Sequence, residues 1–137
     1  MSYLIDTNVI SELIKLKPNI HVIDWLNEMP EDHLFISVLT LGEIRKGVEL
    51  MKVAQKKEKL RIWLEDALPK RFKGRILPVD QFVCETWGKL LAKTSRSLPA
   101  IDSLIAATAI HHRLALVTRN IADFEFSNLD TINPWRN

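Results

Sequence analysis

The sequence predicts an α/β fold in which a short, mainly parallel sheet is covered on both faces by helices. Three observations carry that expectation. Apolar runs of strand length alternate with longer segments whose apolar residues recur at helical spacing. The junctions between them hold turn and helix-capping residues. One helical segment near the C-terminus is apolar on nearly every side, which marks a helix buried in the middle of the molecule. Strands joined through helices make right-handed crossovers, and such crossovers place helices on both faces of a parallel sheet.

The elements follow in order. Tyr3-Leu4-Ile5 reads as a buried strand that stops at Asp6-Thr7-Asn8, residues that favour turns and helix starts. Val9, Ile10, Leu13 and Ile14 then give one helix, closed by Pro18, and Val22, Ile23, Trp25 and Leu26 give a second, ended by Pro30. Leu34-Phe35-Ile36 is the next strand. Ser37 is placed to cap a helix with the stripe Leu41, Ile44, Val48 and Met51, beside which Glu43 lies. Gly42 and Gly47 inside that helix each cost about 1 kcal/mol relative to alanine, which points to close approach of another backbone or a ligand. A charged helix runs from Lys52 to Leu68 and should end before Pro69. Ile76-Leu77-Pro78-Val79 is a third strand, and Asp80 serves as the cap of a helix carrying Phe82, Val83, Trp87, Leu90 and Leu91. After Ser95-Arg96-Ser97, Pro99 suits the first turn of the apolar helix from Ala100 to about Arg113. Ala115-Leu116-Val117 is the fourth strand and Leu129 to Ile132 a fifth.

Size and composition exclude several classes. With 137 residues, 47% hydrophobic, and only 4 glycines and 6 prolines, the chain fits one domain over residues 1–137 with a real core. The longest apolar candidate, Leu104 to Ile110, is far below the roughly 18–20 residues of a membrane span. The opening Met-Ser-Tyr-Leu-Ile-Asp has no secretory pattern, and the single Cys84 excludes an internal disulfide. Together these give the expectation of a cytoplasmic protein. Cys84 itself is expected to be buried or half-buried.

Strand carboxyl ends are where parallel sheets place ligands. Asp6 follows the first strand, Glu43 lies in the helix after the second, Asp123 lies in the loop after the fourth, and Asp102 is near the start of the buried helix. Singly, each has an ordinary explanation as a cap, turn or solvated helix residue. Gathered at one edge, four carboxylates repel each other and recruit a hard divalent cation, for which oxygen ligands favour magnesium or manganese. The natural chemistry of such a pocket is metal-assisted hydrolysis of a phosphodiester. The net charge of +2 is slight, but without those four acids 19 basic residues face 13 acidic ones, an excess of +6 that suits a polyanionic substrate.

The pieces Leu4-Ile5-Asp6-Thr7-Asn8, Leu41-Gly42-Glu43-Ile44, Pro99 to Ala109 around Asp102, and Val117-Thr118-Arg119-Asn120-Ile121-Ala122-Asp123-Phe124 resemble the PIN-domain ribonucleases of the VapC and FitB toxin type, over nearly the whole chain. Ile76-Leu77-Pro78-Val79-Asp80 followed by Trp87-Gly88 resembles the FitB-like branch. The resemblance implies a three-layer α/β/α PIN-like fold and a magnesium- or manganese-dependent endoribonuclease acting on RNA. It also implies a cognate antitoxin and a homodimer. It carries Asp6, Glu43, Asp102 and Asp123 over as catalytic and metal-holding acids, with Asn8, Thr118 and Asn120 supporting them by hydrogen bonds. Ser95 and Ser97 depart from the glycine and proline that relatives often carry in that loop.

Other readings compete. The pocket could serve a phosphatase, although Asp6-Thr7-Asn8 lacks a second aspartate two residues on and no Walker loop is present. The chain could be a processing nuclease without a toxin role, or a silent module that acts only by binding a partner. Lys70, Arg71, Lys73 and Arg75 read as a solvated face before a phosphate site, while Arg45 and Arg119 lie nearer the acids in sequence. His111 and His112 are adjacent, point about 100° apart on a helix and read as structural. Trp25, Trp63, Trp87 and Trp135 read as packing or interface residues.

Overall fold

Alternation along three-residue strands decides how this chain divides its core. The computed structural model describes residues 1–136. Strand β1 (Tyr3–Ile5) leads into a single turn, α1 (Thr7–Ile10), and a 3-10 turn, Ser11–Ile14. Helix α2 (Ile20–Glu28), strand β2 (Leu34–Ser37) and helix α3 (Val38–Glu49) follow. Helix α4 (Ala54–Ile62) continues through a π-helical turn, Trp63–Ala67, into α5 (Leu68–Arg71). Then come β3 (Ile76–Leu77), α6 (Gln81–Lys93), α7 (Ala100–His111), β4 (Ala115–Val117), a 3-10 turn over Ile121–Phe124, and β5 (Thr131–Ile132).

The sheet order is β3-β2-β1-β4-β5 and every pairing is parallel. In β1, Leu4 faces one core and Ile5 the other, and their register partners in β4, Leu116 and Val117, divide the same way. On the Ile5 side lie Val9, Ile10, Val22, Leu26, Ile44, Leu64 and Phe72; on the Leu4 side lie Ile105, Ala106, Ala109 and Phe124. This is the three-layer α/β/α arrangement the sequence predicts, because successive side chains of a strand point to opposite faces. Helix α7 buries Ser103, Ile105, Ala106, Ala107, Thr108 and Ala109, as a central helix must. No helix among the described residues is long and apolar enough to cross a membrane.

Four local expectations are corrected. The first helix does not run on to Ile14 as α-helix but tightens to 3-10 at Ser11, where the buried Glu12 takes the Asn19 N–H at 2.9 Å and pairs with Lys15. The helix from Ala54 does not stop before Pro69. Proline lacks an N–H and its ring excludes the carbonyl four residues back, so the chain widens by one residue, with the Leu68 N–H donating to the Trp63 carbonyl, and continues to Arg71. No other element approaches Gly42 or Gly47: a Cβ on either would meet no atom beyond the helix's own backbone within 4 Å, and Gly47 instead borders an open hollow. Cys84 is exposed, because Val83 and Leu90 supply the buried face of α6.

The basic run is structural. Arg71 pairs with Glu31, Lys70 pairs with Asp66, and Arg75 donates to the Glu31 and Leu34 carbonyls at 2.6 Å, tying the approach of β3 to that of β2. Asp80 caps α6 through the Val83 N–H at 3.0 Å. Trp25 packs edge-on against Tyr3, and His112, at the other end of α7 from Asp102, is held below the usual histidine range by burial and by His111.

Helix α7 ends in a Schellman arrangement: Leu114 N–H donates to Ala109 O at 2.8 Å and Arg113 N–H to Ile110 O at 3.2 Å. Arg113 therefore sits at φ 56°, a left-handed conformation that normally takes glycine. Arg113→Gly is expected to stabilise the fold by about 1 kcal/mol, and Gly42→Ala, in open space within α3, by about 0.5–1 kcal/mol, both read from urea unfolding. Destabilisation by Gly42→Ala would restore the close approach that the sequence alone led one to expect.

Candidate active site

Strand β1 is the point where the chain order reverses, since β2 and β3 lie to one side and β4 and β5 to the other. A crevice opens at the carboxyl end of the sheet at such a point. Asp6 stands there, buried, with its N–H donating to the Val117 carbonyl at 2.9 Å and so continuing the β1–β4 ladder by one residue. The Thr118 hydroxyl, directly after β4, donates to Asp6 Oδ2 at 2.8 Å. Thr7 N–H donates to Asp6 Oδ1 at 2.8 Å, so both carboxylate oxygens are fixed.

Asn120 braces Thr118, and Asn8 reaches both Thr118 and Asp6. Asn120 N–H donates to Thr118 Oγ1 at 3.1 Å, a service of its backbone rather than its side chain. Asn8 Nδ2 lies 3.4 Å from Thr118 Oγ1 and 3.5 Å from Asp6 Oδ2, while Asn8 Oδ1 accepts the Arg119 N–H at 3.3 Å.

Glu43 is exposed on the first half of α3, and its partner is one that sequence reasoning missed. Thr7 Oγ1 donates to Glu43 Oε1 at 2.6 Å, and the buried Thr40 lies 2.9 Å from Thr7 Oγ1. A hydroxyl has a single proton, so with Thr7 donating to Glu43 it is Thr40 that donates to Thr7. The signal was present: Thr40 stands one turn before Glu43 on the same helix, and Thr7 lies directly after Asp6. Beside this pair an apolar hollow of about 250 Å³ opens, lined by Ile14, Ile44, Gly47 and Val48.

Asp102 occupies the first turn of α7, where Pro99 holds the cap position, and among the described residues its side chain has no hydrogen-bond partner. Neither a cap nor a salt bridge accounts for it. The neighbouring Ser103 is fixed instead, accepting from Trp87 Nε1 at 2.9 Å and donating to the Ala100 carbonyl at 3.0 Å, which pins the start of α7 against α6. Asp123 lies exposed on the 3-10 turn over Ile121–Phe124.

The four acids feel one another. Asp6 is pushed above its ordinary 3.8 first by burial, against the lowering effect of the Thr118 and Thr7 hydrogen bonds, and further by Asp102 and Glu43. Asp102 is pushed up by burial, then by Glu43 and Asp123. No lysine or arginine among the described residues forms a salt bridge with any of the four. Among those residues no three acids or histidines converge as a ready coordination shell. The donors are all oxygens and the charge is uncompensated, which fits a hard divalent cation and no soft one.

Fold and pocket define a class: a three-layer α/β protein with a carboxylate cluster at the switch point of its parallel sheet. The model of the PIN domain family matches residues 3–130. Toxin FitB of Neisseria gonorrhoeae is 38% identical over 135 residues, covering 96% of this chain and 97% of its own. The VapC ribonuclease Y4jK of Sinorhizobium fredii is 35% identical over 135 residues, covering 96% of each. The crystal structure of FitAcB from Neisseria gonorrhoeae superposes with a TM-score of 0.93 at 35% identity, over 98% of this chain and 99% of that one. This chain belongs to the PIN domain family.

Because the folded protein holds the Asp102 proton more tightly than the unfolded chain does, stability falls as pH rises through the window above 3.8. Asp102→Asn is therefore expected to raise Tm at pH 7 by about 1–3 °C in metal-free buffer. The gain should shrink as pH falls toward 3.8 in a thermal-melt series. A variant that melts lower than the parent at pH 7 would sink the account of mutual repulsion.

Proposed function

We propose that this protein is an endoribonuclease that hydrolyses RNA phosphodiester bonds with a magnesium or manganese ion held by Asp6, Glu43, Asp102 and Asp123, and that it is the toxin of a toxin–antitoxin pair. The observation that carries the reading is the uncompensated cluster of four carboxylates at the switch point, two of them with raised pKa. The names of the ribonuclease and toxin relatives, matched across almost their full lengths, support both parts. A toxin requires a partner that silences it in the cell that makes it, so a cognate antitoxin belongs to the same reading. The chain acts as one domain over residues 1–137.

The residues divide the work. Asp6 and Asp102 are the first ligands, Asp6 because Thr118 and Thr7 hold its oxygens in fixed directions. Glu43, steered by the Thr7 hydroxyl through Oε1, would join Asp123 in orienting the attacking water. A divalent ion held by these acids would supply a counter-charge to the carboxylates and to a phosphodiester brought against them.

The test is cleavage of a mixed cellular RNA pool with added magnesium or manganese. Wild type is expected to cut, with Asp6→Asn and Asp102→Asn both reduced at least about 100-fold while still folded. Equal cleavage by all three proteins would assign the activity elsewhere. Manganese should also raise the wild-type melting temperature more than that of Asp6→Asn, a readout independent of cleavage. Thr7→Val, which removes the steering hydroxyl while keeping shape, should lower kcat about 10-fold with KM nearly unchanged.

A further inference from the structure

The arginines of this protein are unevenly committed. Arg45, Arg61, Arg71 and Arg75 are all held by carboxylates, and Arg75 by main-chain carbonyls as well. Arg96 is not. Its guanidinium lies over the Phe126 ring at 5.5 Å, and among the described residues its one polar contact is a long one, 3.5 Å, from Nη2 to the main-chain carbonyl of Asp123. Arg96 thus touches the backbone of an acid of the pocket while most of its N–H fork remains unspent.

A trough leads away from this arginine. Two adjoining hollows of about 300 Å³ each share Leu90, Lys93, Ser127 and Asn128 as walls. The first reaches Arg96 and the second reaches Lys89. Lys89 and Lys93 stand on one face of α6 about one turn apart, and among the described residues neither they nor Arg96 forms an ion pair. Glu125 is the single acid in the lining, against three cations. The floor offers hydroxyl and amide groups, and the half-buried Phe126 is covered by Arg96, so no open aromatic face invites a base to stack.

We propose that the trough from Arg96 along Lys93 to Lys89 carries the sugar-phosphate backbone of a single RNA strand on its way out of the acidic pocket. Charge complementarity favours a polyanion, the concave form favours a strand over a flat lipid surface, and the contact of Arg96 with the Asp123 carbonyl puts one end of the trough beside an acid of the pocket. Recognition of this kind reads phosphates and is indifferent to base sequence. The inference rests on the nuclease reading above, and its test is arranged so that either can fail alone.

Binding is measured by fluorescence anisotropy with a labelled single-stranded RNA of about a dozen nucleotides, on an Asp102→Asn background so that the strand stays intact. Adding Lys93→Ala and Arg96→Ala together should raise Kd at least about 10-fold and lower the slope of log Kd against log salt by about 1.4, the release expected for two phosphate contacts on a single strand. Lys93→Arg with Arg96→Lys should keep Kd within about 2-fold, which separates lost charge from lost fold. Lys70→Ala with Lys73→Ala, on the far basic run, should change neither quantity. An unchanged Kd and slope in the alanine pair, or an equal loss in the far pair, overturns the trough. RNA bound through the trough but left uncut by the wild type overturns the nuclease reading and leaves the trough standing; RNA cut by a protein whose binding ignores Lys93 and Arg96 does the reverse.

Discussion

The hydrogen bond from the Thr118 hydroxyl to the buried Asp6 carboxylate, 2.8 Å long, joins two residues 112 apart in sequence at the seam where β1 and β4 run side by side. A buried carboxylate is costly unless donors meet it, and here both oxygens are met, one by that hydroxyl and one by the Thr7 N–H. The seam itself is fixed by packing: Leu4 with Leu116 and Ile5 with Val117 send alternate side chains into two different cores. A slip of one residue along either strand would exchange the two cores and separate Thr118 from Asp6. The placement of the other acids is referred to this seam, because α3 and the turn bearing Asp123 follow strands at that end of the sheet, and α7, which leads back into β4, begins there.

The pocket is a place of stored electrostatic tension, and the sequence keeps that tension from being relieved internally. Arg45 lies only two residues beyond Glu43, yet on a helix that interval turns a side chain about 200° away, and Arg45 meets Glu65 at 3.0 Å instead. Arg71 and Arg75 are spent on Glu31 and on carbonyls near β2. Among the described residues, the basic groups that form salt bridges are thus spent around the pocket rather than within it.

Much of this was legible in the sequence. The three central strands stand where short apolar runs predicted, because burial on both faces forces nearly continuous apolar composition, while the half-buried edge strands shrink to Ile76–Leu77 and Thr131–Ile132 within the longer runs read for them. The four acids could be chosen because Asp6 follows the first strand, Glu43 lies in the helix after the second, Asp102 stands in the first turn of the buried helix and Asp123 lies in the segment after the fourth strand. What escaped reading depended on side chains meeting across the fold. Thr7 and Thr40 look like ordinary turn and helix residues until α1 and α3 are brought together, and Arg96 looks like a solvent-exposed loop residue until Phe126 is placed beneath it. The glycines of α3 misled for the opposite reason: a helix tolerates a glycine at modest cost without any neighbour demanding it, and none does. At Pro69 a strong local rule was met by a local remedy, the widened turn, which composition does not announce.

The pocket's members are scattered from Asp6, near the start of the chain, to Asp123, near its end, and Asp6 gains its Thr118 partner only when β4 has joined the sheet beside β1. Chains emerge from the ribosome N-terminus first, at roughly 5–20 residues per second. A growing chain thus carries Asp6 and Glu43 for much of its synthesis without the strand that orients the first or the helix and turn that bring Asp102 and Asp123. The ordering acts as a built-in delay in assembly: the four acids can come together only after β4 and the turn bearing Asp123 have been made.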